Sequence, residues 1–286
     1  MTDFSMKRTW GPTPVYTNVL AHKGLPNQDN LIVIAGPCSV ESKEQIKAMS
    51  EFLAWNPVTF ARGGLFRAGT YPRADFGLKT ALMRAWASNI RKKGLRTIIE
   101  IIDLRQIEKI DPYADAFQVG ARHCQDYVLL KELSQTKKPV TLKRGMGMTL
   151  DEFLGAAEYL ARGRCSPILI ERGSATSANH VRWDLSLSII PTIKSMGIKL
   201  PVLVDASHGT GRRDLVAPMT LAGVAAGADG FVIEIHPDPE KSLSDADQAV
   251  DIWKLPDIIS KAKSIKKIIN RSDVFQAMIA GCEDDQ

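Results

Sequence analysis

Cysteine is scarce in this 286-residue chain, and none of it is paired in sequence. Cys38, Cys124, Cys165 and Cys282 stand far apart with no Cys-x-x-Cys spacing, which excludes a zinc ribbon or a dithiol redox motif. Long apolar runs are also missing. Nothing approaches the roughly 20 residues needed to span a bilayer, and the opening MTDFSMKRTW has no apolar leader core. We therefore expect a cytoplasmic protein with reduced thiols and no membrane association. Low-complexity segments and long-period repeats are absent. The formal net charge is +5 and the sequence pI about 9.0, but the basic residues are scattered. Without a basic arm or stripe, we expect no nucleic-acid partner. The small excess suits an enzyme for phosphorylated anions equally well. With 44% hydrophobic and 24% charged residues, the chain is neither disordered, collagenous nor a membrane bundle.

What is present is a recurring β-then-α pattern. Eight short β-branched runs read as strands: 31–38, 58–64, 96–102, 116–122, 139–145, 167–173, 201–208 and 230–237. A helix-like stretch follows each, such as SKEQIKAMSEFLAW or TLDEFLGAAEYLAR. Near-continuous apolar strands imply burial on both faces, hence parallel strands with helices outside. Eight such units in about 240 residues match a single (β/α)8 TIM barrel. A doubly wound open sheet is the runner-up, but no GxGxxG follows the first strand. Ser42 and Thr149 read as helix N-caps. Residues 1–30 read as a lead-in, 31–270 as the barrel and 271–286 as an acidic, frayed tail.

Polar residues collect at the C-terminal ends of these strands: Cys38, Arg62, Arg122, Lys143, Arg172, His208 and Glu234. In a parallel barrel those ends converge on one mouth, where active sites lie. Two chemical groups emerge. Cys38, His208 and Glu234, with Asp245 a short loop further on, are donors suited to a divalent transition metal such as Mn, Fe, Co or Zn. Singly, a cysteine or histidine is more often a packed or hydrogen-bonded side chain. On the first, seventh and eighth strand ends, which adjoin in a closed barrel, the metal reading gains weight. His236 competes as a ligand, since strand alternation puts it on the same face as Glu234. The second group is Arg62, Arg122, Lys143 and Arg172, with Arg67 just beyond. Fixed cations at one mouth call for a small anion carrying carboxylate and phosphate. Arg144 and Arg213 read as structural or rim groups. Lys143 also allows a Schiff-base mechanism, ranked second because the metal set is fuller.

In order, IAGPCSVES, RGG, QVGAR, LKRG, IERG, VDASHGTGRRDL and IEIHPDPEKSLSD resemble the type Iβ DAHP synthases (3-deoxy-D-arabino-heptulosonate 7-phosphate synthases). More distantly they resemble the KDO 8-phosphate synthases of the same superfamily. The resemblance spans roughly residues 30–255. It implies a (β/α)8 barrel that condenses phosphoenolpyruvate with an aldose phosphate, releasing phosphate and giving a 3-deoxy-2-ulosonate. The product would be DAHP if the aldose is erythrose 4-phosphate, which would place the chain at the entry to the shikimate pathway of aromatic amino acid biosynthesis. It implies Cys38, His208, Glu234 and Asp245 as ligands of a divalent ion, Mn²⁺ first, with Fe²⁺, Co²⁺ or Zn²⁺ as alternatives. Arg122, Lys143 and Arg172 would hold the phosphoenolpyruvate phosphate, and Arg62 its carboxylate. Lys143, Arg172 and His208 would form the catalytic set. A homodimer or homotetramer is implied too.

One segment departs from the pattern. Where the family carries KPRTSP, this chain reads RAGTYP from Arg67. Arg67 keeps the charge of the lysine, Gly69 removes a phosphate-binding arginine, and Thr70 and Pro72 remain. A charge-assisted contact of that kind contributes on the order of 1.5–3 kcal/mol. Arg73 could restore it from a rearranged loop. Alternatively, the chain takes a different aldehyde, KDO-like or belonging to specialised metabolism, or is a non-catalytic phosphoenolpyruvate- and metal-binding barrel.

Overall fold

The computed structural model describes residues 31–64 and 80–283. In chain order the strands are β1 (Ile32–Gly36), β2 (Phe60–Arg62), β3 (Thr97–Ile101), β4 (Ala116–Val119), β5 (Pro139–Lys143), β6 (Ser166–Glu171), β7 (Val202–Asp205), β8 (Gly230–His236) and β9 (Val250–Asp251). The first eight pair in sequence order, all parallel, and β1 also pairs with β8. The sheet therefore closes on itself as a (β/α)8 barrel, as expected. The two-residue β9 extends it beside the end of β8.

The helices are α1 (Lys43–Ala54), α2 (Thr80–Lys92), α3 (Ile107–Ile110), α4 (Tyr127–Ser134), α5 (Leu150–Ala161), α6 (Ile189–Ser195), α7 (Ala206–Thr210), α8 (Arg213–Ala225) and α9 (Leu255–Glu283). Both sequence-read caps form. The Ser42 side chain accepts from the Gln45 backbone N–H at 3.1 Å. Thr149 and Glu152 make a reciprocal capping box. Buried Ile46, Met49 and Leu53 recur at i, i+3 and i+7 along α1, the spacing that presents one apolar stripe to the barrel wall. The units after β3 and β6 depart from strand-then-full-helix, and β9 precedes α9 in the last one. After β3 comes one helical turn, α3, flanked by 3₁₀ turns. After β6 a long loop precedes the short α6. α9 runs to Glu283, so helix occupies most of the stretch expected as a frayed tail. No helix among the described residues is long and apolar enough to cross a membrane.

Strand alternation separates two cores. Side chains such as Val33, Ile99, Phe117, Val119, Val140 and Leu142 face the helices. Ile32, Ile34, Phe60, Ile98, Ile168 and Leu203 face inward. Fully burying each such side chain contributes roughly 1.5–3 kcal/mol. Two residues further along the same inward columns, the chemistry changes: Phe60 is followed by Arg62, Ile98 by Glu100, Leu203 by Asp205 and Val232 by Glu234. Apolar filling thus ends one layer below the mouth, and charge begins. At that level the chain needs close backbone approaches. A Cβ on Gly36 would lie 2.0 Å from the Arg62 carbonyl oxygen, and one on Gly64 2.0 Å from that of Cys38. Glycine at both positions lets the ends of β1 and β2 touch.

Asp115 ties α2 to the β3–β4 pair. It accepts from Arg91 Nη2 at 2.8 Å and from the Thr97 backbone N–H at 2.8 Å. Burial raises its pKa, but these hydrogen bonds outweigh burial and hold the carboxyl below its ordinary value. A depressed carboxylate contributes stability above its unfolded pKa, about 3.9, and loses it as pH falls through the folded value. Asp115→Asn should therefore melt lower than the parent chain at pH 7. The gap should close as both are acidified below about pH 4. A gap independent of pH would contradict the assignment.

Candidate active site at the barrel mouth

The inward polar groups connect across the mouth in a continuous series. Lys143, last residue of β5, places Nζ 2.7 Å from Asp205 Oδ2 at the end of β7. Asp205 caps α7, accepting from the His208 backbone N–H at 3.0 Å, and its Oδ2 lies 2.8 Å from His208 Nδ1. On the far side of that ring, His208 Nε2 is 3.1 Å from Glu234 Oε1 on β8. Arg62 Nη1, at the end of β2, donates to the same oxygen at 2.6 Å. Gln248 Nε2 donates to Glu234 Oε2 at 2.5 Å, and the Glu234 backbone N–H is held by Ser207 Oγ at 3.0 Å. Lys143, Asp205, Glu234 and Arg62 are all buried. Buried charge persists only when paired, and each of these has an opposite neighbour.

The electrostatics follow that pairing. Burial alone would raise both carboxyls. His208 and Lys143 instead hold Asp205 well below the usual carboxylate range, and His208 and Arg62 do the same for Glu234. Cys38 moves the other way: burial, then the negative charge of Glu234 and Asp245, pushes its thiol well above its ordinary value. Arg62 and a hydrogen bond with Ser244 pull the other way without reversing the shift.

Cys38 Sγ donates to Asp245 Oδ2 at 3.1 Å. Ligand atoms of Cys38, Glu234 and Asp245 all lie within 4.8 Å of one another. His208 joins this trio through its 3.1 Å contact with Glu234. Three of the four predicted metal donors thus meet at one place, and His208 adjoins them at Glu234. A thiol, an imidazole and two carboxylates fit a divalent transition ion. Asp245 reaches the set through a backbone φ of 51°, a turn conformation that aspartate tolerates better than most residues. His236 does not join. Its Nδ1 lies against Asp238 backbone atoms and its Nε2 faces Glu41 at 3.5 Å.

Arg172, just past β6, is buried and donates Nη2 to the His208 carbonyl at 3.0 Å. Its Nε and Nη1 are buried with no hydrogen-bond partner among the described residues. Its guanidinium carbon is 5.7 Å from the Trp183 ring centroid. Burial lowers its pKa to about 10, with Arg182 and Arg122 adding repulsion against the pull of Asp205. Two buried donors without partners, beside two further arginines that repel Arg172, are suited to an oxyanion. Arg67, Thr70 and Arg73 lie outside the described residues. Arg144 is structural, as read: it pairs with Glu171 at 2.6 Å behind the barrel wall. Arg213 is a rim group paired with Glu240.

Sequence reading missed Asp205, Gln248 and Arg182. Asp205 carried a usable signal, because it sits two residues after inward Leu203. Gln248 and Arg182 carried none. Their roles come from loops that fold back on the mouth, where Arg182 Nη1 lies 3.7 Å from Asp245 and 3.4 Å from Gln248.

The sequence model of the DAHP synthetase I family matches residues 18–271. The chain is 39% identical over 234 residues to a phospho-2-dehydro-3-deoxyheptonate aldolase of Thermotoga maritima, covering 82% of this chain and 69% of that one. It is 26% identical over 280 residues to a 2-dehydro-3-deoxyphosphooctonate aldolase of Desulfotalea psychrophila, covering 90% and 95%. The crystal structure of the Thermotoga maritima DAHP synthase superposes with a TM-score of 0.78 at 37% identity, covering 84% of this chain and 71% of that one. A truncated form of 3-deoxy-D-arabino-heptulosonate 7-phosphate synthase from Thermotoga maritima gives 0.75 at 35%, covering 84% and 88%.

Removing Asp205 strands Lys143 in the barrel without its anion. Asp205→Ala should lower the unfolding free energy by about 3–5 kcal/mol, read from urea denaturation. A loss below about 1 kcal/mol, the range of exposed ion pairs, would contradict the pairing scheme.

Proposed function

The chain belongs to the DAHP synthetase I family, and on that premise we propose that its mouth condenses phosphoenolpyruvate with an aldose phosphate, erythrose 4-phosphate first. The observation that carries this reading is the adjacency of two incomplete half-sites. Arg172 offers two buried, unpartnered donors, and the Cys38–Glu234–Asp245 donor trio is joined to it through His208, whose carbonyl accepts from Arg172 and whose ring contacts Glu234. One half calls for an oxyanion and the other for a cation. A phosphorylated enol acid beside a polarised aldehyde satisfies both.

In the proposed reaction, C3 of phosphoenolpyruvate bonds to the aldehyde carbon, water adds at C2, and the C–O bond to phosphate breaks. The product is a 3-deoxy-2-ulosonate, which with erythrose 4-phosphate is DAHP, at the entry to the shikimate pathway. Lewis-acid polarisation of the aldehyde oxygen is the chemistry that a divalent ion, Mn²⁺ first, supplies when held by Cys38, His208, Glu234 and Asp245. Arg172, Arg122 and Lys143 bind the phosphate and offset charge as it departs. Arg62 shares itself between Glu234 and the substrate carboxylate. Holding both reactants by fixed charges removes much of the orientational cost of a bimolecular step. Asp205 engages Lys143 Nζ at 2.7 Å. The Schiff-base alternative needs a free amine and gains no support from it. The family resemblance also supports a homodimer or homotetramer.

Phosphate release from phosphoenolpyruvate with Mn²⁺, assayed across erythrose 4-phosphate, arabinose 5-phosphate and unphosphorylated sugars, tests the reading. Turnover with erythrose 4-phosphate is expected, and Cys38→Ala or His208→Ala should abolish it with little loss of fold. Full activity of either variant after metal stripping and restoration would overturn the ligand assignment. Turnover confined to another sugar would make RAGTYP a specificity change. No release with any aldehyde, with phosphoenolpyruvate still bound, would turn the chain into a binding barrel.

A further inference from the structure

Of the four proposed metal donors, Glu234 lies on β8 and His208 on α7, while the other two sit on loops. Cys38 lies on the β1–α1 loop, and Asp245 on the long connection between β8 and β9. They are 207 residues apart in sequence, so something must hold the two loops in register. The contacts across that seam run in order. Glu41 Oε1 accepts from the Leu243 backbone N–H at 2.9 Å. Ser39 Oγ accepts from Ser244 Oγ at 2.9 Å. Cys38 Sγ then meets Asp245 Oδ2 at 3.1 Å. Three consecutive residues of one loop thus meet three positions of the other, and the last rung is the ligand pair itself.

The Glu41 side of this seam is itself fixed. Gln45, buried in the first turn of α1, accepts from the Glu41 backbone N–H at 2.9 Å and donates to the Ser39 carbonyl at 3.3 Å. Backbone bonds from Gly64 to Cys38 and from Val40 to Gly64, at 3.1 and 2.9 Å, pin the same stretch to the end of β2. Residues 246–249 have their own anchors. Arg213 holds the Ala246 and Asp247 carbonyls, and Gln248 reaches Glu234. Leu243 has no such support and is exposed. Glu41 is largely buried, and its second oxygen faces His236 Nε2 at 3.5 Å. That nitrogen is buried without a hydrogen-bond partner, so Glu41 has a polar neighbour on its other side and no open solvent to turn to.

We propose that Glu41, seconded by the Ser39–Ser244 bond, is a positioning residue that clamps the Asp245 loop onto the Cys38 loop and so assembles the metal site before an ion arrives. The clamp rests on the metal reading above but assigns work to residues that touch neither metal nor substrate. Groups outside the ligand set that orient the ligands typically change metal affinity by 10–100-fold when lost. Asp245 is held at its carbonyl by the Gln248 and Ala249 backbone N–H groups and faces Arg182 at 3.7 Å, so the clamp fixes its place relative to the Cys38 loop, and losing that register acts through affinity.

The test uses the full chain, stripped of metal, and Co²⁺ alone as probe, titrated against a competing chelator dye and followed by the thiolate-to-cobalt absorption band. Glu41→Ala should weaken Co²⁺ binding about ten- to a hundredfold, with the metal-free melting temperature and phosphoenolpyruvate affinity close to those of the parent. Glu41→Gln retains an acceptor for Leu243 and should restore most of the affinity. Ser244→Ala, which breaks the second bond with less risk to folding, should weaken binding in the same direction. Parental Co²⁺ affinity in both Glu41→Ala and Ser244→Ala would overturn the clamp, as would a Glu41→Gln chain as weak as Glu41→Ala. Failure of the unaltered chain to bind Co²⁺ would overturn the metal reading beneath it, a distinct outcome.

Discussion

The Glu234 carboxylate is the point on which the mouth depends. It is buried, and it is shared by Arg62 and His208 on one oxygen and by Gln248 on the other. Through Arg62 it belongs to the cations, and through His208 and Asp245 to the metal donors. From it the contacts run on through His208 to the Asp205–Lys143 ion pair. Among the described residues the mouth thereby pairs most of its buried charges, which is the condition for keeping them ionised at all. Arg172 is the exception, with two donors unanswered. Its single backbone acceptor keeps it aimed at the mouth, and the crowding of Arg122 and Arg182 makes a bound anion the natural completion.

The barrel explains why these charges can meet. Inward columns alternate every second residue, so an apolar layer formed by Phe60, Ile98, Leu203 and Val232 is followed by Arg62, Glu100, Asp205 and Glu234 at the next inward position. The apolar layer below excludes water and strengthens each pair above it. Closure of β8 onto β1 then brings residues from opposite ends of the chain, Cys38 and Glu234, to the same rim. Fold and site are one constraint: an open sheet with these strands would leave Cys38 and Glu234 on separate edges.

Much of this was legible in the sequence. Continuous apolar runs announced buried parallel strands, and their count announced closure. The strand-end position alone picked out Cys38, Arg62, Lys143, Arg172, His208 and Glu234. Asp205 could have been found by the same alternation but was read as part of the strand rather than as a charge. Gln248, Arg182 and Glu41 were not legible, because each acts through a loop whose path no local pattern encodes. The helix to Glu283 had its own signal, a stretch without proline or glycine from Asp257 to Ala280, which the acidic end of the chain obscured. Residues at or just past a strand end were legible from that position, whereas Gln248, Arg182 and Glu41 act from loops with no such marker.

A crystal structure of the chain with Mn²⁺ and phosphoenolpyruvate, with the metal located by anomalous scattering, tests the central claim most directly. The account predicts one Mn²⁺ bound by Cys38 Sγ, His208 Nε2, Glu234 and Asp245, with the phosphate seated on Arg172 Nε and Nη1. A metal held by other residues, or a phosphate bound away from Arg172 with its two donors still unanswered, would contradict it.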